Sequence, residues 1–191
     1  MDRVDTRGAL LDHATRLVRT RGYSAFSYAD LATAVGIRKA SVHHHFATKE
    51  QLGVELVARY TDRFQARLAE IDTLATGPVD ALERYAALYR EGLTDGEACL
   101  CGVIAAEIAA VPAAVAAGVA EFFRVNRIWL AALIGNRETP GQTPEDLAAT
   151  FLATLEGAIF VARAHHDVAV FDRIAATAIT VLAMDRGFLQ T

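Results

Sequence analysis

The stretch that decides the fold is SYADLATAVGIRKASVHHHFATKEQL, residues 27–52. Ser27 is a residue type that begins helices, and an acidic residue three positions later completes a capping pair, which predicts a short helix at Tyr28–Val35. Gly36 ends this helix, and only a tight turn precedes a second short helix, expected at Arg38–His45. A short helix, a glycine turn and another short helix have the spacing of a helix-turn-helix motif.

The second short helix has the composition of a recognition helix, which must pack on one face and leave another free for the major groove. Val42 and Phe46, one turn apart, are the apolar residues that we expect to pack. The rest of the surface is left to Lys39, Ser41, His43 and His44. The small side chain of Ala40 lets the backbone approach DNA closely, and Arg38 and Lys39 can contact phosphates or guanine edges.

As one unit, this stretch resembles the N-terminal module of the TetR family of bacterial transcriptional regulators. The matching features are Ser27, Leu31-Ala32, the Gly36-Ile37 turn, the helix Arg38–His45, Phe46, Thr48, Lys49 and Glu50. The resemblance covers roughly residues 6–55, and the helix count extends it over the chain. It implies a DNA-contact role for Ser27, Tyr28, Lys39, Ala40, Ser41, His43, His44, His45 and Lys49. Ser27, Tyr28 and Lys49 also suit phosphate contacts because they lie at helix N-termini.

Three consecutive histidines, His43, His44 and His45, depart from the family pattern, which usually has aromatic residues at these positions. A shared metal ion is disfavoured because adjacent helical residues point about 100° apart. Two interpretations remain open. The imidazole rings act as neutral stacking and hydrogen-bonding groups, or they gain a proton and attract the DNA backbone.

Composition favours an all-α protein. Of the 191 residues, 53% are hydrophobic, 22% are charged and only 8% are aromatic, so a packed core is expected and the alanine-rich share favours helix. No apolar run reaches the roughly 18 residues of a transmembrane helix. The charged N-terminus is unlike a signal peptide, and two cysteines form no disulfide framework, so we expect a cytoplasmic protein without a membrane partner.

Charge is divided unevenly along the chain. Residues 1–50 hold eight Lys or Arg and five Asp or Glu, a net charge of +3, and residues 51–191 have a net charge of −7. A basic N-terminal module on an acidic body suits local contact with a polyanion. Together with the family resemblance, this division predicts a helix-turn-helix DNA-binding domain of three helices at residues 1–48. The resemblance implies a larger helical domain for ligand binding and dimerisation at residues 49–191.

Turn residues divide the remaining chain into further helices, giving about nine in all. The first is expected at Val4–Thr20 and ends before a glycine. The others are expected at Lys49–Ile71, Val79–Leu93, Cys99–Val111, Pro112–Ile134, Thr143–Ala164 and Val170–Phe188. A loop is expected around Thr139-Pro140-Gly141-Gln142. On the second helix, Leu31 and Ala34 are expected to face the protein core.

The larger domain carries no phosphate-binding loop, GxSxG or HExxH motif. The family resemblance implies a pocket for a small apolar or amphipathic effector in helices four to seven. The candidates for its lining are Tyr85, Tyr89, Cys99, Cys101, Glu107, Phe122, Phe123 and Trp129. A weaker resemblance, over ACLCGVIAAE at residues 98–107, is to the start of the sixth helix in one branch of the family.

The family resemblance implies a homodimer interface on the last two helices, and their small residues would allow close crossing in a four-helix bundle. The candidate interface residues are Leu147, Phe151, Thr154, Leu155, Ala158, Val161, Ile174, Ala178 and Val181. A dimer would present two recognition helices to a palindromic operator. Some of these residues must also serve the core within one chain.

The leading hypothesis is thus a ligand-released repressor, not an enzyme, with no cofactor and no metal. One alternative is a repressor that senses thiol oxidation through Cys99 and Cys101. A remote alternative is a hydrolase in which Cys101 acts with His165 or His166 and Asp167. This last hypothesis leaves the N-terminal motif unexplained.

Overall fold

The computed structural model describes residues 5–135 and 141–184, and these residues form nine α-helices and two short 3-10 helices. The α-helices are α1 Thr6–Arg21, α2 Tyr28–Val35, α3 Lys39–His45, α4 Lys49–Leu74, α5 Pro78–Arg90, α6 Leu100–Ala106, α7 Ala113–Ile134, α8 Pro144–His165 and α9 Val168–Met184. The 3-10 helices are Leu93–Asp95 and Ile108–Ala110. The all-α prediction is confirmed.

Two helices end earlier than the sequence predicts. The fifth stops at Arg90, because Gly92 and Gly96 adopt left-handed backbone conformations on either side of Leu93–Asp95. The sixth stops at Ala106, where the Glu107 N–H donates to the Ile104 carbonyl at 3.0 Å and tightens the chain into a 3-10 turn. Three predicted features lie partly outside the described residues: the start of the first helix at Val4, the Thr139-Pro140 loop and the end of the ninth helix at Phe188.

The chain forms two compact units. The first comprises the chain up to Asp62 together with Leu100–Phe122, and the second comprises Arg63–Cys99 and the chain from Phe123. The first unit therefore contains the helix-turn-helix and also α6, which lies far along the chain from it. The functional boundary between residues 48 and 49 stays a prediction.

The core of the first unit follows the predicted stripes. Leu10, Ala14 and Val18 are fully buried on α1, as expected from their helical spacing. On α2 Leu31 is buried as predicted, but the prediction for Ala34 is wrong, since Ala34 is exposed and Ala32 is buried in its place. The buried face of this short helix therefore includes Leu31 and Ala32 and excludes Ala34.

The second unit is built on α5, α8 and α9, with α8 and α9 packed along each other. Phe151, Leu155 and Ile159 form the inward face of α8, and Phe171 and Ile179 lie on that of α9. An ion pair between Arg90 and Asp172, 2.6 Å from Nε to Oδ1, joins α5 to α9 at the surface. Among the described helices, α8 alone has the length and composition to cross a membrane.

Gly22, at the end of α1, occupies a backbone conformation that other residues rarely adopt, with φ of 110° and ψ of 159°. A Cβ atom built on it would lie 2.2 Å from Oε1 of Glu107, which is too close for two non-bonded atoms. The turn after α1 therefore requires glycine for both conformation and space.

Replacing this residue, Gly22→Ala, should lower the free energy of unfolding by about 1–3 kcal/mol, because it adds backbone strain and displaces the Glu107 carboxylate. Gly77→Ala is the matched control, since Gly77 has an extended φ of 171° and open space around its Cβ position. Urea unfolding of both variants measures the difference. Equal stability of the two would contradict the role given to Gly22.

Candidate nucleic-acid interface and effector site

Ser27 and Gly36 set the two ends of α2, and with them the geometry of the helix-turn-helix. The Ser27 N–H donates to Asp30 Oδ2 at 2.7 Å, and the Asp30 N–H returns to Ser27 Oγ at 3.4 Å, which completes a capping box. The Ser27 hydroxyl also donates to Asp30 Oδ2 at 2.7 Å, and this bond, followed by that from the Ser27 N–H, lowers the pKa of Asp30. At the other end, Gly36 has φ of 72°, and the Ile37 N–H closes onto the Ala32 carbonyl at 2.9 Å.

The recognition helix α3 buries its predicted packing residues and exposes most of its predicted contact residues. Val42 and Phe46 are 0% and 2% exposed, which confirms them as the packing face. The side chains open to solvent are Arg38, Lys39, Ala40, His43 and His44, and those partly exposed are Ser41 and His45. The surface that remains for DNA therefore carries two cations and the histidine run.

The three histidines have different surroundings. The His43 ring contacts the Tyr28 ring edge-on, with centroids 4.8 Å apart, and its Nδ1 lies 3.4 Å from the Ala47 carbonyl oxygen. The rings of His44 and His45 meet edge-on at 5.7 Å. Within the described residues there is no group of three His, Cys, Asp or Glu side chains placed to hold a metal ion.

Tyr28 lies beneath His43 and not at the surface. Its hydroxyl is buried, and no described residue forms a hydrogen bond with it. Burial raises the pKa of Tyr28 to about 12, with a smaller contribution from Tyr23. Ser27, beside it, is exposed. Of these two residues predicted to contact phosphate, Ser27 is therefore open to solvent and Tyr28 is buried. Their DNA contacts stay predictions.

Lys49 is half-buried, and its ammonium group is directed at the turn between α1 and α2. Its Nζ donates to the Phe26 carbonyl at 2.6 Å and lies 4.3 Å from the Phe26 ring centroid and 5.0 Å from that of Tyr23. In return, the Tyr23 hydroxyl donates to the Lys49 carbonyl at 2.9 Å. Desolvation lowers the pKa of Lys49, against the opposing charges of Glu107 and Asp30. Lys49 thus has a structural role beside its predicted phosphate contact.

Glu107 supplies the second support of this turn. Its Oε1 accepts the Tyr23 N–H at 3.0 Å, and its Oε2 accepts the Ser24 N–H at 2.8 Å. Charge-assisted bonds of this kind are stronger than those between neutral groups. The sequence suggested Glu107 as a pocket residue, whereas the structure places its carboxylate on the backbone of the helix-turn-helix module. We call this pair of bonds the Glu107 clasp.

The predicted pocket residues are divided between the two units. Cys101 and Phe122 are fully buried in the first unit, where Phe122 packs on Tyr60 with centroids 5.5 Å apart. Cys99, buried, and Phe123, partly exposed, belong to the second unit. Neither cysteine is in a disulfide. The remaining candidates, Tyr85, Tyr89 and Trp129, do come together.

These three belong to an aromatic cluster of the second unit, formed by Phe64, Tyr85, Tyr89, Trp129 and Phe151. The Tyr85 ring stacks on Trp129 with centroids 5.4 Å apart and planes 16° apart. Inside the cluster, the Tyr85 hydroxyl donates to Asn126 Oδ1 at 2.9 Å and lies 3.0 Å from the Tyr89 hydroxyl. Asn126 was missed from the sequence, although it is a polar residue on an otherwise apolar helix face.

Glu156, on α8, is a second residue that the sequence analysis missed. Both of its carboxylate oxygens are buried, and neither has a nitrogen or oxygen hydrogen-bond partner among the described residues. Burial raises the pKa of Glu156 to about 7, and a hydrogen bond from the Cys99 thiol, a weak donor, opposes this rise. The Glu156 charge is close enough to raise the pKa of Tyr85 and Tyr89, for which desolvation is the larger cause. No basic side chain of the described chain contributes to the Glu156 shift.

The predicted dimer residues separate into a surface and a core set. Phe151, Leu155 and Ala158 are buried within the chain itself, so they leave almost no surface for a partner, although Phe151 also lines a groove. This groove of about 480 Å³ runs between α8 and α9 and is lined, besides Phe151, by most of the others, namely Leu147, Thr154, Ile174, Ala178 and Val181. Val161 and Val181 are 42% and 64% exposed, high values for apolar side chains.

Comparison with known proteins places both parts of the chain in one family. Residues 10–56 match the model of bacterial regulatory proteins of the tetR family, and residues 78–177 match that of the transcriptional regulator LmrA/YxaF-like C-terminal domain. A solved TetR-family regulator from Agrobacterium tumefaciens is 33% identical, with a TM-score of 0.86 over 92% of this chain and 96% of that one. A TetR regulator from Legionella pneumophila is 26% identical, also with a TM-score of 0.86, over 95% and 99% of the two chains.

Curated relatives include transcriptional repressors. DhaR, an HTH-type transcriptional repressor of a Mycobacterium species, is 28% identical over 158 residues, which is 80% of this chain and 77% of DhaR. The HTH-type transcriptional repressor KstR2 of Mycobacterium tuberculosis is 35% identical over 88 residues, 44% of each chain.

The exposed histidines of α3 predict a pH-dependent affinity for DNA. A nearby phosphate favours the protonated imidazole, so binding should take up protons. Affinity should then rise as the pH falls from 8 to 6, by as much as about tenfold for each histidine that takes up a proton. Operator affinity at constant ionic strength measures this for the parent chain, His43→Gln and His44→Gln, in which the slope should be smaller.

His165→Gln is the matched control, because His165 is exposed on α8 in the other unit and should leave the slope unchanged. A flat profile in the parent chain, or the same slope in all variants, would favour neutral rings that only stack and donate hydrogen bonds.

Proposed function

The chain belongs to the TetR family of bacterial transcriptional regulators, and we propose that it is a cytoplasmic repressor that binds a palindromic operator as a homodimer. A small apolar or amphipathic effector, bound by the second unit, releases it from DNA. The observation that carries the proposal is the recognition helix α3, which buries Val42 and Phe46 and exposes Arg38, Lys39 and the histidines. This is the arrangement that reading the major groove requires.

The electrostatics support the same conclusion. Arg38 and Lys39 are both exposed at the start of α3, where they can reach phosphates or base edges. Arg7 and Lys49, by contrast, are engaged within the first unit: the Arg7 guanidinium pairs with Glu55 and lies over the Phe46 ring, and Lys49 holds the Phe26 carbonyl. Arg38 and Lys39 are thus two exposed cations at the start of α3 that can meet DNA.

The groove between α8 and α9 supports the dimer. Its lining combines apolar residues with threonines, Gln142 and Arg173, and it carries small residues such as Ala178, which let a second helix pair approach closely. Exposed apolar side chains such as Val161 and Val181 are normally covered by a partner when they cluster. A two-fold dimer would place two recognition helices on one face of the duplex.

Burial weighs against the two alternative functions. A hydrolase needs a nucleophile that its substrate can reach, whereas Cys101 is 0% exposed. Thiol sensing requires an accessible thiolate, and both Cys99 and Cys101 are buried. The second unit instead offers an aromatic cluster with a buried polar centre, which suits a small organic ligand.

The test begins with selection of an operator from a random duplex library and light scattering of the free protein. We expect an inverted repeat with half-sites about one DNA turn apart, roughly 34–36 Å, and a dimer at micromolar concentration. In Lys39→Ala the affinity should fall, and the dependence of log affinity on log salt should lose about one phosphate contact.

Arg84→Ala is the matched control for the loss of one positive charge. Arg84 is exposed on α5, where it pairs with Asp80, and its removal should leave the salt dependence unchanged. A monomeric protein that selects no operator would contradict the proposed function.

A further inference from the structure

Glu156 is unusual because a buried carboxylate is normally paired with a cation or held by several hydrogen bonds. Both Glu156 oxygens are buried without a nitrogen or oxygen partner among the described residues; the Cys99 thiol, a weak donor, bonds to the carboxylate, and no basic side chain of that part of the chain compensates its charge. The core of the second unit therefore holds a carboxylate whose charge is uncompensated and whose hydrogen bonding a thiol only partly satisfies.

The groups around this carboxylate suit an organic cation better than a metal ion. The described residues contain no cluster of three metal-ligating side chains, and the neighbours of Glu156 are the Cys99 thiol and the phenols of Tyr85 and Tyr89. Aromatic rings attract ammonium groups through their faces, most strongly where water is excluded. The aromatic cluster supplies such rings beside a negative charge.

The hydrogen bonds inside the cluster point to the same ligand. The Tyr85 hydroxyl donates its proton to Asn126 Oδ1. The Tyr89 hydroxyl, 3.0 Å away, can therefore donate to the Tyr85 oxygen. Both phenol protons are used in these two hydrogen bonds, so neither is directed at Glu156. A ligand that enters the cluster therefore meets the Glu156 carboxylate as an acceptor. A positively charged or donor-bearing group satisfies this carboxylate, and an anion does not.

Trp129 and the charge of the chain suggest how such a ligand arrives. Trp129 is partly exposed, covers the fully buried Tyr85 and donates through Nε1 to exposed Asp72 at 2.9 Å. Residues 51–191 carry a net charge of −7, which attracts cations and repels anions. Asp72 thus adds a second carboxylate at the solvent side of the cluster.

We propose that the effector is an organic cation, an amine or ammonium with an aromatic or alkyl body, whose charge is neutralised by Glu156 within the aromatic cluster. This inference rests on the proposed ligand-released repressor and names the class of its ligand. Below about pH 7 a proton occupies Glu156 in the free protein, and binding of the cation sends that proton to solvent. The apolar body of the ligand packs among the rings.

The test compares benzyltrimethylammonium with neopentylbenzene, a neutral molecule of the same shape, using the fluorescence of Trp129, the only tryptophan. At pH 8 the parent chain should prefer the ammonium by about tenfold or more. In Glu156→Gln the affinity for the ammonium should fall by a similar factor, while that for neopentylbenzene should stay the same. Glu145→Gln, at an exposed carboxylate on the same helix, should behave as the parent.

The pH dependence provides a second measurement that needs no variant. Because the pKa of Glu156 is about 7, the cation must displace a proton below that pH. Affinity for the ammonium should therefore fall by roughly tenfold for each pH unit below 7 and level off above it. Equal affinity for the two probes, no fluorescence change with either, or a flat pH profile would overturn the inference.

Operator binding separates this inference from the proposed function. A chain that binds its operator but shows no preference for the ammonium remains a repressor and contradicts the cationic effector. A preference for the ammonium without any release of operator would also overturn the assignment of the cation as effector. Release by benzyltrimethylammonium in the parent chain, lost in Glu156→Gln and kept in Glu145→Gln, would support it.

Discussion

Glu107 places two carboxylate oxygens on the N–H groups of Tyr23 and Ser24, two donors in the turn that follows α1. The contact joins residues more than eighty positions apart and leaves no room for a side chain at Gly22. The Lys49 ammonium group donates to the Phe26 carbonyl in the same turn. The path of the chain from α1 into α2 is therefore set by charged groups from outside the helix-turn-helix itself.

The recognition helix depends on this support because it is too short to be stable alone. With seven residues, α3 lies well below the length at which an isolated helix forms in water. Val42 and Phe46 anchor it, and the capping box at Ser27 and the left-handed Gly36 fix the helix before it. Packing and capping on one side leave the opposite side free, and that free side carries the polar residues suited to DNA.

Local signals made the helix-turn-helix readable from the sequence, whereas the long-range polar contacts were not. Ser27 is a helix start signal and Gly36 is a helix stop signal, so the bounds of α2 were predicted correctly. Glu107 has no such signal, because its partners are backbone groups distant in sequence. Glu156 sits in an apolar stretch where a lone carboxylate suggests a solvent-facing position, and only the packing of α5 and α8 shows that it is buried.

The most direct test of this account is amide hydrogen exchange across residues 20–46 in the parent chain and in Glu107→Gln. Loss of the charged double acceptor should speed exchange at Tyr23 and Ser24 by about tenfold or more, and exchange at the Phe46 amide, which closes α3, should also rise. The Ala75 amide, bonded to the Ile71 carbonyl in the other unit, should exchange as before. Unchanged exchange at Tyr23, Ser24 and Phe46 would contradict the claim that the Glu107 clasp holds the DNA-binding module in place.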